Sequence, residues 1–259
     1  MLKVIGKANA ALLIALSALT LSACGGGGSS SSGGSGSSAT ELESGVYNIG
    51  RIFSDGSTQE GLSFISASGQ FVSVLGRVAF GTLKYSDNGE FSGPIVEYTL
   101  NNSAELLRGT LSGVVTSSKE ADLTASKSEL AVSGVLVRKD KPSDFGVTLD
   151  RISANYSTDD SQSSITIASD GVVSGNDQTG CDFRGKVKIP DEAINVFEIT
   201  YEASLCDELP AEDASAEDRN GTFSGLGTYI PSGEPGESGG EVLFYSQNGT
   251  VAWMFKGKR

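Results

Sequence analysis

The chain has 259 residues, with 19 Lys and Arg against 32 Asp and Glu, a formal net charge of −13 and no histidine. That acidic balance leaves no basic footprint for nucleic acid and no charge-driven hold on anionic lipid headgroups. Without histidine, Ser-His-Asp and Cys-His catalysis and His-based metal clusters are excluded.

Residues 1–23 begin with Lys3 and Lys7 and continue into ALLIALSALTLSA, Ala11 to Ala23. A positive start, a short apolar run and small residues at its end form the layout of a secretory signal peptide. The run is shorter than the roughly 20 residues that a bilayer-spanning helix needs. It ends on Leu21-Ser22-Ala23-Cys24, which resembles the lipobox of bacterial lipoproteins. The resemblance implies cleavage before Cys24 and lipidation of its thiol and new amino terminus. Because Gly25 and not Asp follows, it also implies the outer membrane of a Gram-negative cell, facing either the periplasm or the cell surface. Cleavage would remove two lysines and no acid, taking the formal net charge from −13 to −15. The lipid would then do the anchoring, at about 0.8 kcal/mol per buried CH₂. Residues 25–38 are Gly and Ser only, a flexible tether with a mean span of about 20 Å. Segment 24–42 is read as lipidated cysteine plus tether.

Beyond the tether no helical periodicity of useful length appears. Apolar and polar residues alternate by two, punctuated by turn pairs: Asp55-Gly56, Asn88-Gly89, Asp170-Gly171, Asn220-Gly221 and Asn248-Gly249, with Ser68-Gly69 inside FISASGQFVSV. Both residues of such pairs tolerate positive φ, as tight hairpins demand. The predicted fold class is all-β, an antiparallel, barrel-like meander. SGVYNI, GLSFISASGQFVSV, FGTLKY and LLRGTLSGVV are echoed in order by SANYST, SSITIASDGVVSG, DFRGKVKI and GTFSGLGTYI. This predicts two pseudo-repeated halves, 43–146 and 147–259, divided near Lys141-Pro142. They form either two small barrels or one large sheet curled to hide its edges.

Cys181 and Cys206 are the pair left over in an oxidising compartment, which predicts a disulfide. Matching apolar faces of CDFRGKVKI (181–189) and VFEITYEASLC (196–206) pairs Val187 with Ile199 and Phe183 with Ala203, and sets Lys188 opposite Glu198 and Arg184 opposite Glu202. That register places Cys181 opposite Leu205, so the bond requires a bulge or a strand that stops before Cys206. In EVLFYSQNGTVAWMFK (241–256), a two-residue Asn248-Gly249 loop pairs Phe244 with Trp253 and Val242 with Phe255 on one face, and Leu243 with Met254 and Tyr245 with Ala252 on the other. Both faces are apolar, so this hairpin should be covered on both sides.

The C-terminal half is similar to a poorly characterised group of β-rich lipoproteins of Gram-negative bacteria, through ITIASDGVVSGNDQTGCDFRGKV, Cys206, NGTFSGLGTYI and the closing apolar strand. The resemblance implies a β-rich body behind a lipid anchor and brings no activity with it.

Chemistry-bearing patterns are sparse. No S-x-x-K pattern, P-loop or dinucleotide fingerprint occurs in the folded part. The chain is therefore expected not to be an enzyme and to need no cofactor; a pair of facing carboxylates for glycoside hydrolysis is the remaining catalytic alternative. DELPAEDASAED carries Asp207, Glu208, Glu212, Asp213, Glu217 and Asp218, which is either a partner or cation loop or a solvated connection between strands. Trp253 with Phe244, Tyr245 and Phe255 is either core or the lining of a ligand pocket. The expected function is a lipid-anchored envelope protein that binds an external or envelope protein or glycan partner, with a small-ligand carrier as the alternative.

Overall fold

The computed structural model describes residues 40–53, 57–102, 106–127, 130–208, 214–232 and 239–259. The signal peptide, Cys24 and the Gly/Ser run lie outside the described residues, as do Asp55-Gly56, Glu212 and Asp213.

The first half contains β1 (Gly45–Ile52), β2 (Thr58–Ile65), β3 (Gln70–Leu75), β4 (Arg77–Thr82), β5 (Lys84–Tyr85), β6 (Glu90–Tyr98), β7 (Leu107–Ser117), β8 (Glu120–Lys127) and β9 (Leu130–Arg138). Neighbours pair antiparallel, β9 returns to β1, and β4 pairs with β6 across the short β5, so eight strands close a barrel. Two one-turn helices, α1 (Asp140–Ser143) and α2 (Leu149–Ile152), form the connection. The second half contains β10 (Ala154–Ser157), β11 (Ser163–Ile167), β12 (Val172–Asp177), β13 (Asp182–Lys188), β14 (Phe197–Ser204), α3 (Ala216–Arg219), β15 (Gly221–Pro231), β16 (Gly240–Gln247) and β17 (Ala252–Lys258). These eight strands close a second barrel in sequence order. Closure satisfies the strand edges that an open sheet would leave exposed.

Of the two arrangements open to the sequence, the chain adopts two barrels. The echoed segments fall at matching places: SGVYNI and SANYST open the barrels, FGTLKY and DFRGKVKI run through the fourth strand, and LLRGTLSGVV and GTFSGLGTYI hold the sixth. The echo extends to one hydrogen bond. Tyr47 Oη donates to the Glu43 carbonyl, and Tyr156 Oη donates to the Ile152 carbonyl at 2.9 Å, each four residues back along the chain. Both rings are fully buried. In each barrel the segment before the first strand plugs one end. Leu42 enters the first core, and Val147 and Ile152 enter the second.

Strict alternation sorts side chains into three cores. Tyr47, Ile49, Phe71, Phe91, Ile95, Leu111 and Leu123 fill the first barrel. Ile165, Val187, Ile199, Tyr201, Phe244 and Phe255 fill the second. The third lies between them, where outward-facing Phe64, Val72, Val78, Phe80 and Tyr98 meet Val196, Leu226, Leu243, Tyr245 and Ala252. This is the physical reason that the last hairpin is apolar on both faces: Phe244 and Phe255 point into their own barrel, whereas Leu243 and Tyr245 pack on the neighbouring one. Tyr98 Oη also donates to the Gln247 side-chain carbonyl at 2.9 Å across the junction.

Two turn assignments need correction. The β16–β17 connection spans Asn248 to Val251, with Gln247 opposite Ala252 and Phe244 opposite Phe255. The predicted pairing is therefore displaced by two residues, although the face of every side chain is preserved. The Asn248 carboxamide oxygen accepts from the N–H groups of Thr250 and Val251, which stabilises the longer loop. Asn220-Gly221 is no hairpin turn: Asn220 caps the C-terminus of α3 and Gly221 begins β15. The β13–β14 register matches expectation, with Phe183 opposite Ala203 and Val187 opposite Ile199.

The end of the first barrel that receives the chain is closed by polar links as well as by Leu42. The Arg138 side chain, 2% exposed, reaches Asp140 Oδ1 at 2.9 Å and Asp144 Oδ1 at 2.7 Å. Its Nε donates to the Ser44 carbonyl. Lys119 Nζ adds a 2.8 Å bond to Asp140 Oδ2.

Candidate functional site

Among the described residues, the opposite end of each barrel is open. In the second barrel the open end is set by the connections β10–β11, β12–β13, β14–β15 and β16–β17. It leads to a cavity of about 330 Å³ whose lining includes Phe183, Tyr201, Phe223 and Trp253. The rings form one continuous wall. Tyr201 and Phe223 stack at 5.2 Å between centroids, and Phe183 lies 5.1 Å from Trp253. Tyr201 Oη shares a 2.8 Å hydrogen bond with the buried Ser246 Oγ. Burial keeps the Tyr201 phenol neutral, its pKa far above the ordinary tyrosine range. The inward position of all four rings follows from the two-residue period of β13, β14, β15 and β17.

The rim of this cavity is built around the disulfide. Cys181 and Cys206 are bonded. The register conflict is resolved as the second option required: β14 stops at Ser204, and Leu205 turns the chain at φ +61°. Asp177 organises the facing turn, its Oδ1 accepting from Thr179 N–H at 2.9 Å, Thr179 Oγ1 at 2.7 Å and Cys181 N–H at 3.1 Å. Arg219 projects from α3 into the lining and donates to Thr179 Oγ1 and the Asp207 carbonyl. Its Nε is shut off from solvent with no hydrogen-bond partner among the described residues. The first barrel also contributes. Asn101, in the β6–β7 connection, lines the same cavity and donates its N–H to the Ala252 carbonyl at 3.0 Å.

The acidic segment does not converge on a cation site among the described residues. Glu208 accepts from the Ala216 N–H at 3.3 Å. Asp218 is used in a capping box with Ser215, and Glu217 is exposed in the same one-turn helix. The Asp207 N–H donates to the Thr179 carbonyl, so the segment helps to hold the rim. Of the three aromatic residues predicted around Trp253, Phe244 and Phe255 belong to the second barrel's core and Tyr245 faces the other barrel. Sequence reading missed Arg219, Asn101, Asp177 and Thr179. Of these, only the Asp-x-Thr-Gly-Cys run at 177–181 carries a local signal, that of a side-chain-stabilised turn.

Among the described residues the first barrel opens at the same topological end, where β1, β3, β6 and β8 finish. Its cavity is about 440 Å³, with a floor of Ile49, Phe71, Ile95, Leu111 and Leu123. Arg51, Gln59, Arg77 and Glu97 line it nearer the opening, and Arg108 lies on the exposed rim. Among the described residues each cavity is lined by one acid, Glu97 in the first and Asp177 in the second. No protein-family model, curated protein or solved structure matches this chain.

Proposed function

We propose that the protein is a lipid-anchored, non-enzymatic binding protein of the outer membrane whose second barrel holds a single small ligand. The observation that carries this reading is the open, aromatic-walled cavity beside Trp253. A pocket near the lower end of the ~300–1,000 Å³ range of small-molecule sites suits one compact ring compound. The aromatic wall supplies offset-stacking and edge contacts. Arg219 supplies a donor at the rim, which an acceptor group on the ligand would meet. The lipobox supports anchoring through Cys24, and Cys24→Ala should release the protein from membranes.

Trp253 is the sole tryptophan, so its fluorescence reports the cavity directly. Titration with indole and with benzamide should give saturable changes in emission, weakened by Arg219→Gln for benzamide but not for indole. Emission unchanged by either probe up to millimolar concentration would overturn the carrier reading. A second reading, capture of a protein or glycan partner at this rim, is supported by Leu205, which is 73% exposed beside the disulfide. Protease shaving of intact cells distinguishes a surface-facing from a periplasm-facing body and so the partners it could meet.

A further inference from the structure

The first barrel has a different lining from the second, and nothing in the proposal above uses it. Its floor is aliphatic with one phenylalanine, and charge is gathered toward its opening. By the alternation that points Tyr47 and Ile49 inward, Arg51 also points inward. The same argument places Arg77 beside inward-facing Ala79, and Gln59 directly opposite Arg51. Among the described lining residues two inward guanidinium groups thus lie at the same end as one acid, Glu97, with Arg108 adding a third positive charge at the rim. This excess of positive charge among the described lining residues occurs in a chain of net charge −13. The Arg51 guanidinium lies 4.4 Å from the Phe53 ring centroid, which fixes its plane. Its Nε is shut off from water without a hydrogen-bond partner among the described residues. Arg51 lines the cavity, and a carboxylate there matches the terminal nitrogens of the guanidinium fork.

We infer that the first barrel is a separate site for an amphiphile with a carboxylate head, its apolar tail on the floor formed by Ile49, Phe71, Ile95 and Leu123 and its head at Arg51. The aliphatic floor takes a chain that needs no polar partner. The charged mouth distinguishes the head from neutral and cationic ones. The two barrels would then differ in specificity, rings in the second and carboxylated chains in the first.

The test compares dodecanoate, dodecanol and dodecyltrimethylammonium by isothermal titration of the purified full chain in detergent-free buffer. Dodecanoate should bind at least about tenfold more tightly than the other two, the effect of one charge-assisted hydrogen bond. Arg51→Gln should abolish that preference, and Arg51→Lys should restore some of it. Trp253, in the other barrel, should show no proportional emission change. Equal affinity for the three heads in the unmodified chain would overturn the inference, and that comparison does not depend on a variant folding. A dodecanoate preference that survives Arg51→Gln, or binding that tracks Trp253 emission, would overturn it as well.

Discussion

Removal of the disulfide tests the description of the second barrel's rim most directly. Cys181 and Cys206 are 25 positions apart in sequence. For a closed loop of that size the chain-entropy relation gives about 3.5 kcal/mol of stabilisation at room temperature, acting through the unfolded chain. Both cysteines are buried, at 3% and 8% exposure. Serine would therefore bury hydroxyl groups in an apolar setting, and the paired substitution Cys181→Ala with Cys206→Ala is the cleaner perturbation. Urea unfolding followed by Trp253 emission should show a lower midpoint. The slope should rise slightly, because the unlinked chain exposes more surface on unfolding. Reduction of the unmodified protein should reproduce the shift, separating loss of the bond from loss of the sulfur atoms. A loss under about 1 kcal/mol by both routes would refute the reasoning, since the loop would then contribute far less than its closure entropy.

The paired tyrosines give a second test: Tyr47→Phe and Tyr156→Phe should each cost about 1 kcal/mol by urea unfolding, with additive effects because the two sites close different barrels. Burial pushes the Tyr85 and Tyr156 phenols up to about 12. The fold therefore favours their neutral forms. Their contribution should be intact below the ordinary tyrosine pKa of about 10 and be lost as pH rises toward 12, which tyrosinate absorbance measured beside the urea midpoint would follow. Asp140 behaves oppositely: Lys119, and then Arg138, hold its carboxyl below the usual range by hydrogen bonding. Its stabilisation should be present above about pH 4 and lost as pH falls further, and Asp140→Asn should flatten that acid limb of the stability profile.

Much of the barrel architecture is legible in the sequence because a closed meander is made of local pairings. The turn pairs Asn88-Gly89 and Asp170-Gly171 place Gly89 and Gly171 at φ +80° and +82°, as hairpins require. The β13–β14 register is legible because its apolar face and its Lys188–Glu198 and Arg184–Glu202 pairs agree. The β16–β17 register is not. Phe244 faces inward whether it meets Trp253 or Phe255, so the alternation tolerates a shift of two, and the Asn248 side chain decides the loop length. The charged mouth of the first barrel was hidden for a different reason. Arg51, Arg77 and Glu97 come from three separate hairpins and meet only once the barrel closes. Arg219 was hidden in an acidic segment whose composition suggested a solvated loop, and its position depends on the disulfide and on α3.

The closed end that receives the chain also sets how the body responds to mechanical load. β1 leaves that end and runs toward the open mouth, paired along eight positions with β2 and along five with β9. A pull on residue 40, resisted by something gripped at the mouths, acts along the axis of β1. Both ladders are then loaded in shear, with many hydrogen bonds sharing the force at once. A strand pulled across its ladder would instead unzip, its bonds breaking in succession. If the proposed anchor and ligand sites hold, the first strand is oriented to withstand drag between them.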